Sequence, residues 1–366
     1  MRSGRVIQLA FALAAALATP AHAQRFTLET LFDAELWKTD DGSRLLSRNG
    51  GDPAIQGRLR MWGAWRLTPT VEVRGIGMIE GGNAESDNLY ATVELLSARW
   101  FPSRAFVVEA GKILMPIGAF GARRFSNVNP LVGEPDLYPT QYPWGLAISG
   151  AAGVLDYRAA VTSLGVVNTR YTPEPGHSLR PVLGLGVSAG PSFHVGAAVT
   201  RGSYLSEHET PLLPNSATRP WDKYLQTVAA SDARFSYGYV DVRAELAWSW
   251  YEVPTVTTEV RGFGWYGEVT GTLTPRLFVS LRYEDNQYPF VLPISKFFWV
   301  GTATTQKNAE LGVGYRLSPD FVVKSSYRRD HWPVRSAGGI TFPDGYSVAV
   351  QLSWHANVMD LFEPKY

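Results

Sequence analysis

The feature that most constrains the fold is an alternation of polar and apolar residues that recurs along the chain with a period of two. In residues 56–67, one set of alternate positions is apolar and the other is cationic. Residues 240–250 and 346–355 alternate in the same way. Because successive side chains of a strand point to opposite faces of a sheet, this period predicts β-strands with one apolar and one polar face.

The connections between these segments distinguish a membrane barrel from a soluble β-sandwich, which also alternates. Proline-centred turns recur along the chain, and two further turns are predicted at Gly153 and Gly238, where the spacing requires them. Proline fixes φ and has no N–H to leave unpaired, so it suits a tight reversal between strands. The prolines of these turns are Pro69, Pro102, Pro191, Pro275 and Pro319.

Short turns therefore alternate with long polar connections. Seven turns join fourteen strands, and one more strand at each end makes about sixteen, with both termini on the short-turn side. Short turns at one end and long loops at the other are typical of outer-membrane barrels. An even strand number lets such a barrel close without an unpaired edge in lipid. We predict an all-β fold, a transmembrane antiparallel β-barrel with short periplasmic turns and long extracellular loops.

The N-terminus predicts export. Two arginines precede an apolar run over residues 6–17, and a small-residue triplet follows at 21–23, which is the layout of a cleavable signal peptide. The run is shorter than the ~20 residues of a spanning helix. We expect residues 1–23 to be a signal peptide and 24–366 to form a barrel in the outer membrane of a Gram-negative bacterium.

Composition argues against several classes of function. The chain has no cysteine, which removes disulfides, thiolate metal sites and cysteine nucleophiles. Its formal net charge of +1 does not suggest a basic protein that binds nucleic acid. The histidines lack metal-ligand spacing, and no nucleophile motif, phosphate loop or dinucleotide fingerprint is present. We expect no enzymatic activity, metal, cofactor or nucleic-acid partner.

One segment carries a family resemblance. Residues 111–118, Gly-Lys-Ile-Leu-Met-Pro-Ile-Gly, are followed by Asn-Pro at 129–130, and this arrangement resembles the phosphate-selective porin O and P family. Weaker similarity continues in residues 145–150, 266–276 and 281–284. The resemblance implies a sixteen-stranded, usually trimeric, diffusion channel. Family members that select phosphate carry a ladder of lumen lysines, whereas the lysines here are few and dispersed, so phosphate specificity is not expected.

The predicted inward faces carry charges of both signs. One interpretation is a transverse field that filters ions in a water-filled pore. The other is that neighbouring opposite charges neutralise one another and only keep the lumen polar. The residues expected to line the pore are Arg58, Arg60, Arg66, Arg74, Arg158, Arg243, Glu245, Arg282, Glu284, Arg316, Lys324 and Arg328.

A long connection at residues 114–144 is the predicted constriction loop. Its length indicates a functional loop, and its prolines and aromatic residues argue against disorder. Folded inward, it would place Arg123 and Arg124 at the narrowest point and bias the pore toward anions. The alternative is a loop that points outward and packs on a neighbouring copy or on lipopolysaccharide.

We therefore predict a porin that lets small polar or anionic solutes diffuse passively through its lumen. Its expected partners are outer-membrane lipid, lipopolysaccharide and two further copies in a homotrimer. One alternative is a structural barrel that sheathes a partner protein, which would not conduct ions alone. Another is a barrel hydrolase, which would need a Ser/His or Asp/His constellation.

Overall fold

The structure is a computed structural model that describes most of the barrel and part of its connections. The described residues are 26–40, 51–84, 89–137, 140–163, 179–204, 219–252, 257–287, 305–333, 336–337, 340–341 and 344–358. The predicted signal peptide lies outside these residues, as do parts of most of the long polar connections.

Sixteen antiparallel strands close into one barrel, as the alternation and the turns predict. They are β1 (Phe26–Thr39), β2 (Ala54–Thr68), β3 (Val71–Gly82), β4 (Tyr90–Ser103), β5 (Phe106–Lys112), β6 (Trp144–Ala152), β7 (Leu155–Thr162), β8 (Arg180–Ala189), β9 (Phe193–Ser203), β10 (Leu225–Tyr237), β11 (Val240–Tyr251), β12 (Val260–Thr272), β13 (Leu277–Gln287), β14 (Gln306–Arg316), β15 (Phe321–His331) and β18 (Gly345–Asn357). Strands β16 (Ser336–Ala337) and β17 (Ile340–Thr341) form a separate hairpin before β18. Strand β18 pairs with both β15 and β1 and so closes the ring.

The short turns lie where the sequence predicts them, with one shift. Gly153 and Gly238, inferred from spacing alone, adopt φ of 62° and 58°, a left-handed conformation that glycine enters without steric cost. The reversal predicted at Pro102 falls two residues later, at Arg104–Ala105. Pro102 instead occupies a register shift at the end of β4, where a missing N–H is tolerated.

The two faces of the strands differ as the alternation predicts. Trp65 and Val350 point outward and are each 42% exposed, whereas their neighbours Arg66 and Gln351 point inward. A bulge between β3 and β4 adds one residue to β4. The bulge shifts the alternation, so that Glu94 joins the inward-facing polar residues.

Helical structure is minor in the described residues. The helical segments there are short 3₁₀ turns at Phe120–Arg123 and Trp221–Lys223. No helix in that part of the chain has the length and apolar character needed to cross a membrane. The first 3₁₀ turn belongs to the connection between β5 and β6, which determines the geometry of the lumen.

Candidate functional site

The connection between β5 and β6 enters the barrel in the residues that the structure describes there, 113–137 and 140–143, and we call these residues the inner loop. It starts and ends one residue before the predicted range 114–144, because Lys112 and Trp144 form the last pair of the two strands. Beyond that pair, the N–H of Met115 donates to the carbonyl of Gln141 at 2.9 Å. Strand β5 has seven residues and β4 has fourteen, so the loop leaves the wall below the rim of the barrel.

Lys324 of β15 anchors the inner loop. Its Nζ donates hydrogen bonds to the backbone carbonyls of Ser126 and Asn129, both at 2.9 Å, and of Leu131 at 3.1 Å. An ammonium group has three N–H donors, so all three are satisfied by the loop. The side chain is 1% exposed. Lys324 therefore holds a turn of the loop against the wall and does not line open water.

Carboxylates on β13 and β14 cap N–H groups of the same loop. Gly133 N–H donates to Glu310 at 3.0 Å, and Asp136 N–H donates to Glu284 at 2.7 Å. Arg282 donates to the carbonyl of Gly133 at 2.9 Å and to Glu310 at 2.5 Å. Arg282 and Glu284, two of the predicted pore-lining residues, are consequently buried beneath the loop.

Arg328 of β15 completes this anchoring. Its guanidinium pairs with Asp136 of the loop and, at 2.9 Å, with Asp330 on its own strand. The hydroxyl of Ser326 accepts a hydrogen bond from the N–H of Val132 at 3.0 Å. The wall formed by β13, β14 and β15 thus holds the loop through charged side chains and backbone groups together.

Arg123 and Arg124, the predicted constriction residues, are both paired. Arg123 Nη1 lies 2.7 Å from Glu268 Oε1 on β12, and its Nη2 lies 3.3 Å from the hydroxyl of Tyr266. Arg124 Nη2 lies 2.5 Å from Glu94 Oε1 on β4. Burial opposes the charge of Arg123, but Glu268 and Tyr266 outweigh burial and raise its pKa. Neither arginine presents an uncompensated cation to the lumen, which argues against an anion bias from this pair.

These two contacts lie on opposite sides of the barrel. Strands β12 and β4 are eight places apart in the ring of sixteen. Two adjacent loop residues therefore reach diametrically opposed walls. The inner loop crosses the lumen as well as following one wall of it.

On the β2–β4 side, charged groups and an aromatic ring hold the loop against the wall. Arg60 of β2 lies 3.7 Å from Asp33 of β1 and 3.3 Å from Glu94. The guanidinium groups of Arg60 and Arg124 lie 5.5 and 5.3 Å from the ring centroid of Phe125. Sequence reasoning missed Glu94, because the bulge in β4 breaks the alternation on which the inward faces were predicted.

An apolar inner wall on β7 to β12 was also missed. Met115, Ile117 and Leu137 of the inner loop pack on it. A water-filled lumen would leave these wall side chains wet, but all are buried. The sequence did contain a sign of this wall. Strands β8 and β9 carry apolar residues on both faces, a pattern that indicates a strand covered on both sides. The wall residues are Ala160, Val182, Ala198, Val228, Ala230, Ala247 and Tyr266.

The other predicted pore-lining residues also point inward, and most form ion pairs near the short-turn end. The distances are 3.9 Å for Arg66–Glu72, 2.6 Å for Arg74–Glu109, 3.7 Å for Arg158–Asp232 and 2.5 Å for Arg243–Asp241. Arg58 pairs with Glu35 at 3.2 Å and Glu80 at 3.0 Å, Arg316 lies over the ring of Phe278, and Glu245 accepts a hydrogen bond from Tyr266 at 2.5 Å. Several of these pairs remain partly exposed, so water reaches this mouth of the lumen.

A serine, a histidine and a carboxylate meet near the same mouth. Ser188 Oγ lies 3.0 Å from His194 Nδ1, and Asp232 Oδ2 lies 3.3 Å from His194 Nε2. Asp156 Oδ2 lies 3.7 Å from Nδ1. No group of three or more histidines and carboxylates among the described residues has the arrangement of a metal site.

Comparison with known proteins identifies the type of fold. No protein-family model matches the chain, and no curated protein matches it. Among solved structures, OmpF of Salmonella typhi in complex with daunomycin has a TM-score of 0.63 at 12% identity, covering 90% of this chain and 97% of that one. The anion-selective porin from Comamonas acidovorans has 0.62 at 10% identity, with 90% and 99% covered. A loop L8 deletion mutant of OmpT, an outer-membrane protein of Vibrio cholerae, has 0.55 at 11%, with 90% and 99% covered. The chain therefore has the sixteen-stranded barrel fold of the porins.

Proposed function

We propose that the protein is an outer-membrane diffusion channel of the porin type, which lets small polar solutes pass through its lumen in a Gram-negative bacterium. The observation that carries the proposal is the contrast between an apolar outward face and an inward face rich in ion pairs, on a closed barrel of sixteen strands. Barrels of this size enclose an aqueous space, whereas eight-stranded barrels fill theirs with side chains. Export by the N-terminal signal and contact with lipopolysaccharide belong to the same proposal.

Aromatic rings at the short-turn end support a membrane setting. Trp100 and Phe106 meet edge to face with centroids 5.9 Å apart, and Phe321 stacks on Trp354 at 6.1 Å. Rings of this kind flank the apolar band of outer-membrane barrels at the lipid headgroups. A homotrimer is proposed with the channel, since OmpT of Vibrio cholerae, which shares the fold, is described in a trimer form.

We propose that the channel passes small polar solutes. Anions belong to this class, but we do not expect the channel to prefer them over cations. Carboxylates outnumber cations among the buried charged residues that the structure describes, ten to six. Lys324 is the one buried lysine among the described residues, and its ammonium group donates its hydrogen bonds to the inner loop. The interior therefore does not support specificity for phosphate. Reversal potentials in a salt gradient measure the preference directly.

Purified protein in planar lipid bilayers and in liposomes tests the proposal. We expect stepwise conductance increments, and liposome swelling that slows as the sugar in the bath becomes larger. Heat-denatured protein from the same preparation is the control. Insertion of folded barrels with neither conductance nor swelling would contradict a diffusion channel.

A barrel hydrolase is the second candidate, because Ser188 and Asp232 each lie within hydrogen-bonding reach of one ring nitrogen of His194. The surroundings do not favour it. The N–H of Ser188 is used by the carbonyl of Val154, so it is not available to stabilise an oxyanion. We propose that the protein is not an enzyme. Ester hydrolysis by the purified protein that disappears in Ser188→Ala would overturn this.

A barrel that sheathes a partner protein is disfavoured by the inner loop. The loop contacts opposite walls and occupies the middle of the lumen, where a partner would have to lie. Conductance of the isolated protein separates this alternative from the channel.

A further inference from the structure

The inner loop covers the lumen wall on nearly every side. It forms ion pairs with β4 and β12, hydrogen bonds with β13, β14 and β15, and apolar contacts with β7 to β12. Lys324 on β15 and Thr162 on β7 are eight places apart in the ring, and both contact the loop. A loop that touches two pairs of opposite walls crosses the lumen in two directions at its level.

The two halves of the loop are held by different forces. Residues 126–136 are fixed by charged and backbone hydrogen bonds, and we call them the anchored segment. Residues 114–122, the seam segment, lie on the opposite wall mainly through the apolar side chains of Met115 and Ile117. The polar contact of that segment with the wall includes a long hydrogen bond of 3.4 Å from Arg158 to the carbonyl of Gly118.

We propose that the inner loop is a gate that closes the lumen, and that it opens when Met115 and Ile117 separate from the apolar inner wall of β7 to β12 while the anchored segment stays in place. This gate rests on the proposed channel function, since only a channel needs one. It assigns the solute route to the seam between the loop and the small side chains of Ala160, Val182 and Ala198. The ion pairs around Arg282 keep the anchored side closed.

The chemistry of the seam suits a gate. A narrow apolar contact excludes water and ions without any steric plug, as in pores that close by dewetting. The wall opposite Met115 and Ile117 is made largely of alanine and valine, so little contact area is lost when the segment moves. Gly118 follows Ile117 with φ of 68°, a conformation that glycine adopts without strain, and it can serve as the hinge.

A pair of reversible cross-links tests the gate, and the absence of native cysteine makes the design clean. Met115→Cys with Thr162→Cys joins the seam, where Sδ and Oγ1 are 3.9 Å apart. Leu131→Cys with Gly312→Cys joins the anchored side, where a Cβ on Gly312 would lie 2.5 Å from Leu131 Cδ2. Oxidation should abolish the conductance of the variant with the seam pair, and reduction should restore it. Oxidation should leave the conductance of the variant with the anchored pair unchanged.

The possible outcomes separate the gate from the channel. Equal conductance of the oxidised and reduced seam pair would overturn the gate and leave the channel intact. Loss of conductance in the oxidised anchored pair alone would show that the other side moves, which also overturns the gate as stated. No conductance from reduced protein or from the unmodified chain would overturn the channel itself.

A second pair of variants keeps the test independent of disulfide formation. Ile117→Asn places an unpaired amide in the seam, and we expect the open-to-closed ratio to rise about tenfold, since a buried polar group without a partner favours the hydrated, open state. Val128→Asn is the control, because Val128 lies on the same loop, is 53% exposed and makes no part of the apolar cluster. Equal open times in the two variants would contradict the seam as the route.

Discussion

At the scale of single residues, several charged side chains in the middle of the lumen hold the inner loop. Lys324 was expected to face a pore, but its ammonium group is consumed by three loop carbonyls. Arg123 was expected at a constriction, and its partner Glu268 lies 145 positions further along the chain. Sequence shows that such residues point inward. It cannot show which of them a loop will cover, because the partners come from distant strands.

Replacing Lys324 tests this role. We expect Lys324→Met to lower the free energy of barrel unfolding by about 3 kcal/mol, because it leaves buried carbonyls without donors. Lys307→Met is the matched control on the adjacent strand, since Lys307 is 40% exposed and 3.5 Å from Asp285, and it should cost less than about 1 kcal/mol. Urea titration of both variants in lipid vesicles measures the difference. Equal losses would mean that Lys324 is not an anchor.

At the scale of elements, the strands were predictable and the inner loop was predictable only in part. Strands follow from local rules: alternation defines the two faces, and proline or glycine defines each turn. Those rules place Gly153 and Gly238 correctly. The length and composition of the loop predict that it is ordered, but the walls it contacts depend on tertiary packing. The bulge in β4 shows where prediction from alternation fails, because one extra residue reverses the face to which the following side chains of the strand point.

The outward face of the strands gives the next test. Leu246 and Val350 lie at central positions of β11 and β18 and point outward. Arginine at either should cost about 2–4 kcal/mol of barrel stability, because the charge would face the hydrocarbon midplane. His194→Arg is the lumen-facing control, since a cation there lies beside Asp156 and Asp232. A refolding titration in which His194→Arg is as costly as Val350→Arg would contradict the assignment of the faces.

At the scale of the whole molecule, stability depends on closure. Every barrel strand has two neighbours, and β18 supplies the last of them by pairing with β15 and with β1 from Glu29↔Asn357 to Thr39↔Ser347. Backbone groups of an open edge would have no partner in lipid. The hairpin of β16 and β17 lies in the connection to β18 and takes no part in the ring. Two segments that are close in sequence therefore have very different importance for the fold.

This difference predicts the effect of two deletions. Removing residues 345–366 takes away β18 and leaves β1 and β15 each with an unpaired edge, so we expect no compact, protease-resistant barrel in detergent or vesicles. Removing residues 336–341 deletes only the hairpin; Asp330 and Gly345 still form the terminal pair of β15 and β18, so the ring can close. Mobility of unheated and heated samples on gels and resistance to trypsin report closure. If the chain without β18 also folds to a resistant barrel, then β1 and β15 can pair directly, and sixteen strands are not required for closure.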